Sequence, residues 1–341
     1  MRKHFLILLL ASLASSPLLA QGDRKDKTAV TYEEIYDEPY SVNKLFVHFQ
    51  PFYGEMFVTN VNAGFGVEAS YYYDDKADFK AHFRKTYNQK FYDFSRDLAA
   101  KTSDLDNKNE VFNYFEIGGT YHIRDFEESS KTKMFLYKKS YKGNKWSARV
   151  PLNADIPCKV RKIYGARLGG IFWDSSTDLS RALEAQGLTN ADLVNDEGNG
   201  LPEDVDVFGN IYSMGGYAGG SITWIRNVAV NFDKFEEGID DLILTAYLDI
   251  LYSPSITIDD LVYTDPVTSE TRNYDPGPIN IKTFGFRVGL EGKFNRTLSW
   301  AYGAEAGYRP SVEGRTFYAL LKISFPVFGT NLDYKVESFG K

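Results

Sequence analysis

The chain has 341 residues and a formal net charge of −7, which argues against a nucleic-acid binder, since that class carries a basic patch. Cys158 is the only cysteine, so an internal disulfide is excluded. Past residue 20 no apolar run approaches the ~18 residues of a spanning helix, so any membrane insertion must use strands. Aromatic residues make up 16% of the chain, with 24 Tyr and 25 Phe, enough to furnish girdles and aromatic-rich loops.

Residues 1–20 read as a secretory signal: Arg2, Lys3 and His4 form a charged head, Phe5–Leu10 begins the apolar region, and Ala20 closes a small-residue cleavage site before Gln21. No Cys lies near that boundary to carry a lipid anchor. Residues 21–41 are polar, charged and without period, as expected of a flexible tail. The rest, 42–341, is expected to form one domain.

Lys44–Gln50 is a short candidate strand. Over 57–73 the chain alternates: Phe57, Val61, Phe65, Val67, Tyr71 and Tyr73 fall on one face, and Asn60, Asn62, Gly64, Gly66, Glu68 and Ser70 on the other. Asp74-Asp75-Lys76 makes a turn, after which Phe79, Ala81 and Phe83 oppose Lys80, His82 and Arg84. Residues 87–110 lose the period and read as a long loop with a helical turn near Leu98–Ala100. Phe115, Ile117, Tyr121 and Ile123 then face away from Glu116, Thr120, His122 and Arg124. Met134–Tyr137 and Ala148–Leu152 read as two short strands around Lys142-Gly143-Asn144. Another strand near 158–173 sets Tyr164, Ala166, Leu168 and Phe172 against Arg167.

Residues 174–207 form the longest insertion, with Asp178–Gln186 expected as a short helix. Long strands follow at 208–231 and 239–254, the latter placing Leu244, Ala246, Leu248 and Ile250 opposite Asp241, Thr245 and Asp249. A third loop spans 255–279. The cleanest alternation comes last. Phe284, Phe286, Val288, Leu290 and Phe294 oppose Arg287, Glu291 and Lys293. Trp300, Tyr302, Ala304 and Tyr308 oppose Glu305 and Arg309. Phe317, Ala319, Leu321, Ile323 and Phe325 oppose Lys322 and Ser324.

These strands are longer than the ~5–6 residues usual in soluble sheets and match the roughly 9–11 residues of a tilted membrane-crossing strand. Their apolar faces end in aromatics, where headgroup-level girdles belong. Their other faces carry too many charges for the dry core of a sandwich. The expected fold is therefore an all-β, antiparallel transmembrane barrel of about twelve strands, within bounds of roughly ten to fourteen, or ten if 131–153 does not cross. Even strand counts separate the loops 87–110, 174–207 and 255–279, so all three emerge on one face. The expected lumen-lining set is Glu68, Arg84, Glu116, His122, Arg124, Arg167, Asp241, Asp249, Arg287, Glu291, Lys293, Glu305 and Arg309. The alternative is a soluble secreted barrel with its charges in water and its aromatics inside.

The signal peptide, the alternating Gly- and aromatic-rich strands and the closing Tyr318–Phe325 run resemble bacterial outer-membrane β-barrel proteins over most of 44–326. The likeness implies the outer membrane of a Gram-negative bacterium, with membrane lipid and lipopolysaccharide as surroundings. The pattern departs where Gly329–Lys341 continues past Phe325 and Phe328, with 332–339 a candidate further strand. One loop motif, running from Asn195 through Asp206, resembles a degenerate calcium-binding loop of thrombospondin type 3 repeats. That resemblance implies a weak Ca2+ site with Asn195, Glu197, Asn199, Glu203 and Asp206 as oxygen donors, since calcium takes 6–8 hard oxygens. The alternative is a solvated acidic loop.

No catalytic residue is assigned. His82 and His122 are the histidines well inside candidate membrane strands, and neither shows the partner spacing of a hydrolase. Gly215-Gly216 and Gly219-Gly220 precede no helix and form no phosphate loop. The expected function is a non-enzymatic structural or surface-binding scaffold with a largely charge-filled lumen. The alternatives are a narrow, porin-like channel for a small or amphipathic solute and an outer-membrane hydrolase.

Overall fold

The computed structural model describes residues 30–57, 60–87, 104–108, 112–136, 153–233, 235–296 and 299–330. The signal-like residues 1–20, the first part of the tail, the turn at Leu98–Ala100, the strand at Ala148–Leu152 and the extra strand at 332–339 lie outside them.

In chain order the strands are β1 (Tyr32–Asp37), β2 (Leu45–Phe57), β3 (Asn60–Tyr73), β4 (Ala77–Thr86), β5 (Asn113–Phe135), β6 (Asn153–Asp178), β7 (Phe208–Ile225), β8 (Val228–Phe232) and β9 (Gly238–Asp240). They continue as β10 (Leu242–Ile258), β11 (Leu261–Thr264), β12 (Thr271–Tyr274), β13 (Ile281–Lys282), β14 (Phe284–Phe294), β15 (Ala301–Tyr308), β16 (Ser311–Val312) and β17 (Phe317–Gly329). One short helix, α1 (Ser180–Gln186), follows β6.

Ten strands close into an antiparallel barrel in the order β10-β14-β15-β17-β2-β3-β4-β5-β6-β7, the seam between β17 and β2 joining the two ends of the ring. Closure leaves no exposed edge within the ring. The ring has ten strands, the lower of the two counts expected from sequence, with Met134 and Phe135 at the end of β5 and not in a separate strand. Alternation holds along most strands: in β14 Phe284, Phe286, Val288 and Leu290 face outward while Arg287 is buried.

Bulges interrupt it at Gln50/Tyr53, His122/Arg124, Tyr252/Ser255 and, at the end of β17, Pro326/Phe328. A bulge inserts one residue and so exchanges the two faces of a strand beyond it. In β2, Phe46, His48 and Gln50 are buried before the bulge at Pro51, and Tyr53, Glu55 and Phe57 after it. Phe57 thus ends β2 with its ring inside the barrel, not at the start of the next strand with its ring outside.

The strand order places the connections 87–112, 179–207, 259–283 and 309–316 at one end, termed here the cap end. The turn at 74–76, the β14–β15 turn and both termini of the ring lie at the other, the turn end. The described residues of the cap-end connections are packed. Leu179 and Leu183 from the start of α1, Leu193, Leu201 and Val205 beyond it, and Leu261, Tyr263 and Ile279 from β11–β13 form one apolar cluster. Tyr53, Phe57, Tyr114, Trp173 and Tyr318 from the barrel wall complete it. The spacing of four between Leu179 and Leu183 puts both on one face of the helical turn, and that face is the one buried.

The turn end is also covered. β7 ends at Ile225, and the chain leaves the ring at Arg226-Asn227 to form β8, which pairs with β1 and β9 in a separate sheet. This sheet packs on the β5–β6 ribbon beyond the ring: Val228, Val230 and Phe232 meet Met134, Ile156, Cys158 and Val160. Residues 38–43 then cross the mouth. Asn227 Nδ2 donates to the carbonyls of Glu38 and Ser41 at 2.8 and 3.0 Å, and Asn295 Nδ2 donates to Ser41 O at 2.7 Å. The expected flexible tail is therefore a strand and a strap from Tyr32 onward, because the fully buried face of β8 offers β1 a ladder and an apolar surface.

Candidate functional site in the barrel interior

Side chains on non-neighbouring strands bond to one another, which in a closed ring is possible only through the interior. Arg287 on β14 reaches Glu116 on β5 with Nη2–Oε1 2.7 Å and Nη1–Oε2 2.9 Å. The interior is filled by charges arranged in successive levels along the barrel axis.

Nearest the cap, Glu55 on β2 accepts both terminal nitrogens of Arg309, at 3.0 and 2.9 Å, and Nη1 of Arg84 at 3.3 Å. The guanidinium of Arg309 lies 4.2 Å from the ring centre of Tyr318, and that of Arg84 4.0 Å from that of Tyr114. This level carries one cation in excess. The next carries Arg287 and Arg167 against Glu116, Asp249 and Glu305, one anion in excess, and the two offset each other. Asp249 is shared: Arg287 Nε donates to it at 2.8 Å and Arg167 Nε at 2.9 Å. Glu305 accepts hydroxyls from Tyr247 and Tyr318, both at 2.6 Å, and Tyr114 donates to Glu116 at 2.7 Å. Bidentate guanidinium–carboxylate pairs with their remaining lone pairs satisfied are the form in which buried charge is tolerated.

Towards the turn end, Lys80 and Lys322 face Glu68 and Glu291. Lys80 lies 2.5 Å from Glu291 and 3.6 Å from Glu68; Lys322 lies 2.6 Å from Glu291 and 2.7 Å from Glu68. His82, one level in, sits with Nε2 3.1 Å from Gln50 Oε1. Space that charges do not fill is taken by tyrosines over glycines: Tyr217 lies across Gly118 and Gly169, and Tyr247 across Gly289, where an added Cβ would strike the ring.

Beyond the lysine–glutamate level lies a cavity of ≈ 60 Å³, lined among others by His48, Ser70, Tyr72, Thr245, Lys293 and Tyr302. Phe46, Ile163, Ile225 and Ile243, with Val42 and Tyr72 against them, form an apolar cluster at the same end of the barrel.

Of the residues expected in the lumen, Glu68, Arg84, Glu116, Arg167, Asp249, Arg287, Glu291, Lys293, Glu305 and Arg309 are found in this interior. Three are elsewhere. The bulge after His122 turns Arg124 outward, where its guanidinium lies 4.4 Å from the ring centre of Phe126. His122 is held at the turn-end rim, with Nε2 3.1 Å from Asp78 Oδ2 and Nδ1 3.1 Å from Asp75 O. Asp241 precedes β10 and accepts from the backbone N of Arg296 at 2.7 Å, fastening the β14–β15 turn. Glu55 was missed from sequence because the candidate strand stops at Gln50, whereas β2 runs through the bulge at Pro51 to Phe57 with Glu55 inward. Lys80 and Lys322 were legible as inward residues, though not as partners of Glu68 and Glu291.

The 195–206 loop is tied together by its own groups. Asn195 Oδ1 accepts the backbone N–H groups of Glu197 and Asn199 at 3.0 and 2.9 Å, Gly198 takes a left-handed φ of 82°, and Glu197 pairs with Arg272 at 2.9 Å. Glu203 and Asp206 are exposed, and among the described residues no three acidic, His or Cys groups gather as metal ligands. The calcium reading gains no support from this arrangement.

The chain is thus a closed ten-stranded antiparallel β-barrel with a charge-filled interior. No protein-family model matches it, and no curated protein matches it. Among solved structures, the CymD monoaromatic hydrocarbon channel aligns over 90% of this chain and 96% of its own, at 8% identity and a TM-score of 0.23. A score that low carries no argument about fold or function.

Proposed function

We propose that the protein is a transmembrane barrel of a Gram-negative outer membrane that does not conduct at rest and serves as a non-enzymatic scaffold displaying its packed cap. The observation that carries this reading is the charge network across the lumen between a packed cap and a strapped turn end. Its exterior supports membrane insertion. At the cap end Tyr252, Phe284, Phe286, Tyr308 and Phe317 form an exposed aromatic arc, with ring centres 4.7 Å apart for Tyr252–Phe284 and 5.3 Å for Phe286–Tyr308. At the turn end Trp300, Phe325 and Phe328 are exposed, and between the two lie outward Leu248, Ile250, Val288, Leu290 and Leu321. That is an apolar band between aromatic girdles, with lipid and lipopolysaccharide as its partners. The signal-like pattern of residues 1–20 supports export, and an exported barrel with both ring termini at the turn end has its cap extracellular. His122, engaged by Asp75 and Asp78 at the rim, is assigned no catalytic role.

Planar-bilayer recording on the refolded protein tests this function. Insertion without steady conductance is the expected result, with heat-modifiable migration on a gel reporting the closed barrel. Stable single-channel steps from the unaltered protein would replace it with the narrow-channel reading.

A further inference from the structure

The charges of the inner levels offset one another, and one cation of the turn-end cavity is left over. Lys80 and Lys322 are matched by Glu68 and Glu291, Arg167 by Asp249, and Asp78, which also lines the cavity, is engaged with His122. Lys293 instead donates to a neutral hydroxyl, Ser70 Oγ, at 2.7 Å, and lies 4.4 and 4.8 Å from the ring centres of Phe46 and Tyr72. Among the described residues no carboxylate pairs with it. Lys293 is half-buried, and an ammonium group partly withdrawn from water without an anionic partner is unfavourable.

Its surroundings are those of an anion site with an apolar end. Ser70 accepts from Lys293 and so keeps its own O–H free to donate, and the inward-facing Ser324 and Thr245 line the same space. Ile243 is the direct cross-strand neighbour of Lys293 and Ile225 that of Ile243, so an apolar surface begins one strand away from the ammonium. The cavity has room for about four to six waters, the size of a ligand with a handful of heavy atoms. With one cation available, a monoanion fits better than a phosphate. With Ile243 and Tyr72 beside it, a monoanion with a short alkyl tail fits better than a halide.

We propose that this cavity binds a short-chain carboxylate, its head on Lys293 Nζ and the Ser70 hydroxyl and its tail against Ile243 and Tyr72. The site stands whether or not the lumen conducts, so bilayer recordings and this test fail independently. The probe is butyrate, titrated by saturation-transfer NMR into the detergent-solubilised barrel, with butanol as the uncharged control.

Saturable binding of butyrate and none of butanol is expected. Lys293→Met should lose about tenfold or more in affinity, the scale of one charge-assisted hydrogen bond, while Lys293→Arg should retain most of it. In the unaltered protein, butyrate should slow reductive methylation of Lys293 and leave exposed Lys44 unaffected, a readout that holds even if Lys293→Met fails to fold. Absence of saturable binding, equal response to butanol, unchanged affinity in Lys293→Met or no protection of Lys293 would each overturn the proposal.

Discussion

Removing Arg287 is the sharpest test of the claim that the interior is held by mutually dependent charges. Its guanidinium donates to Asp249, to both oxygens of Glu116, to Glu305 at 3.4 Å and to the Tyr114 hydroxyl at 3.2 Å, and it lies 4.4 Å from the ring centre of Tyr217. Arg287→Met keeps much of the volume and removes the charge. Asp249 would still have Arg167, but Glu116 would keep only a tyrosine hydroxyl and Glu305 only two. Breaking a buried pair by deleting one partner is destabilising by roughly 3–5 kcal/mol. The variant should therefore unfold at a clearly lower denaturant concentration, measured by urea titration in lipid vesicles with tryptophan fluorescence. Because most of that loss is the stranded Glu116 charge, adding Glu116→Gln should recover part of it, with a coupling of about 1–3 kcal/mol. If Arg287→Met lies within about 1 kcal/mol of the unaltered protein, or if the two changes simply add, the interior is not a coupled network.

Three further outcomes follow from the same geometry. Leu290→Arg, on the proposed lipid face between Ala246 and Ala304, should lose about 2–4 kcal/mol and show reduced assembly in outer-membrane fractions; wild-type yield would refute the facing. Gly289→Ala should displace the Tyr247 ring and weaken its 2.6 Å bond to Glu305, lowering the unfolding midpoint although alanine is a modest change; an unshifted midpoint would mean that the ring has room. Chelator should leave proteolysis of 190–208 unchanged, since Asn195 and Glu197 are already engaged by the chain and by Arg272; calcium-dependent protection would restore the metal reading.

The parts of this architecture that depend on a period of two were legible in the sequence. β14, β15 and β17 as far as Phe325 alternate without interruption, and their facing, together with the parity that gathers the long loops at one end, follows from that rule alone. The errors cluster where one inserted residue changes the phase. The candidate strand stops at Gln50, short of the bulge at Pro51 that β2 runs through to Glu55 and Phe57, and the bulge after His122 sent Arg124 outward. Partner choice was not legible at all. Arg287 and Glu116 lie 171 positions apart, and only closure of the ring brings them within a hydrogen bond. The cap was hidden for a related reason: Leu193, Leu201 and Leu261 have no period to announce them and are buried by packing between loops.

The pairing of β1 with β8 has a consequence for biogenesis. Tyr32 lies opposite Phe232, so β1 must wait for a partner some two hundred positions later. β1 is absent from the ring, and the seam between β2 and β17 can close without it. Docking of β1 is therefore separable from ring closure. Until it happens, the buried strand Val228–Phe232 lacks a neighbour along one edge, a hydrogen-bonding ladder open to any extended chain. A nascent molecule in that state is a natural client for a holding chaperone, and the pairing of β1 is the event that withdraws the invitation.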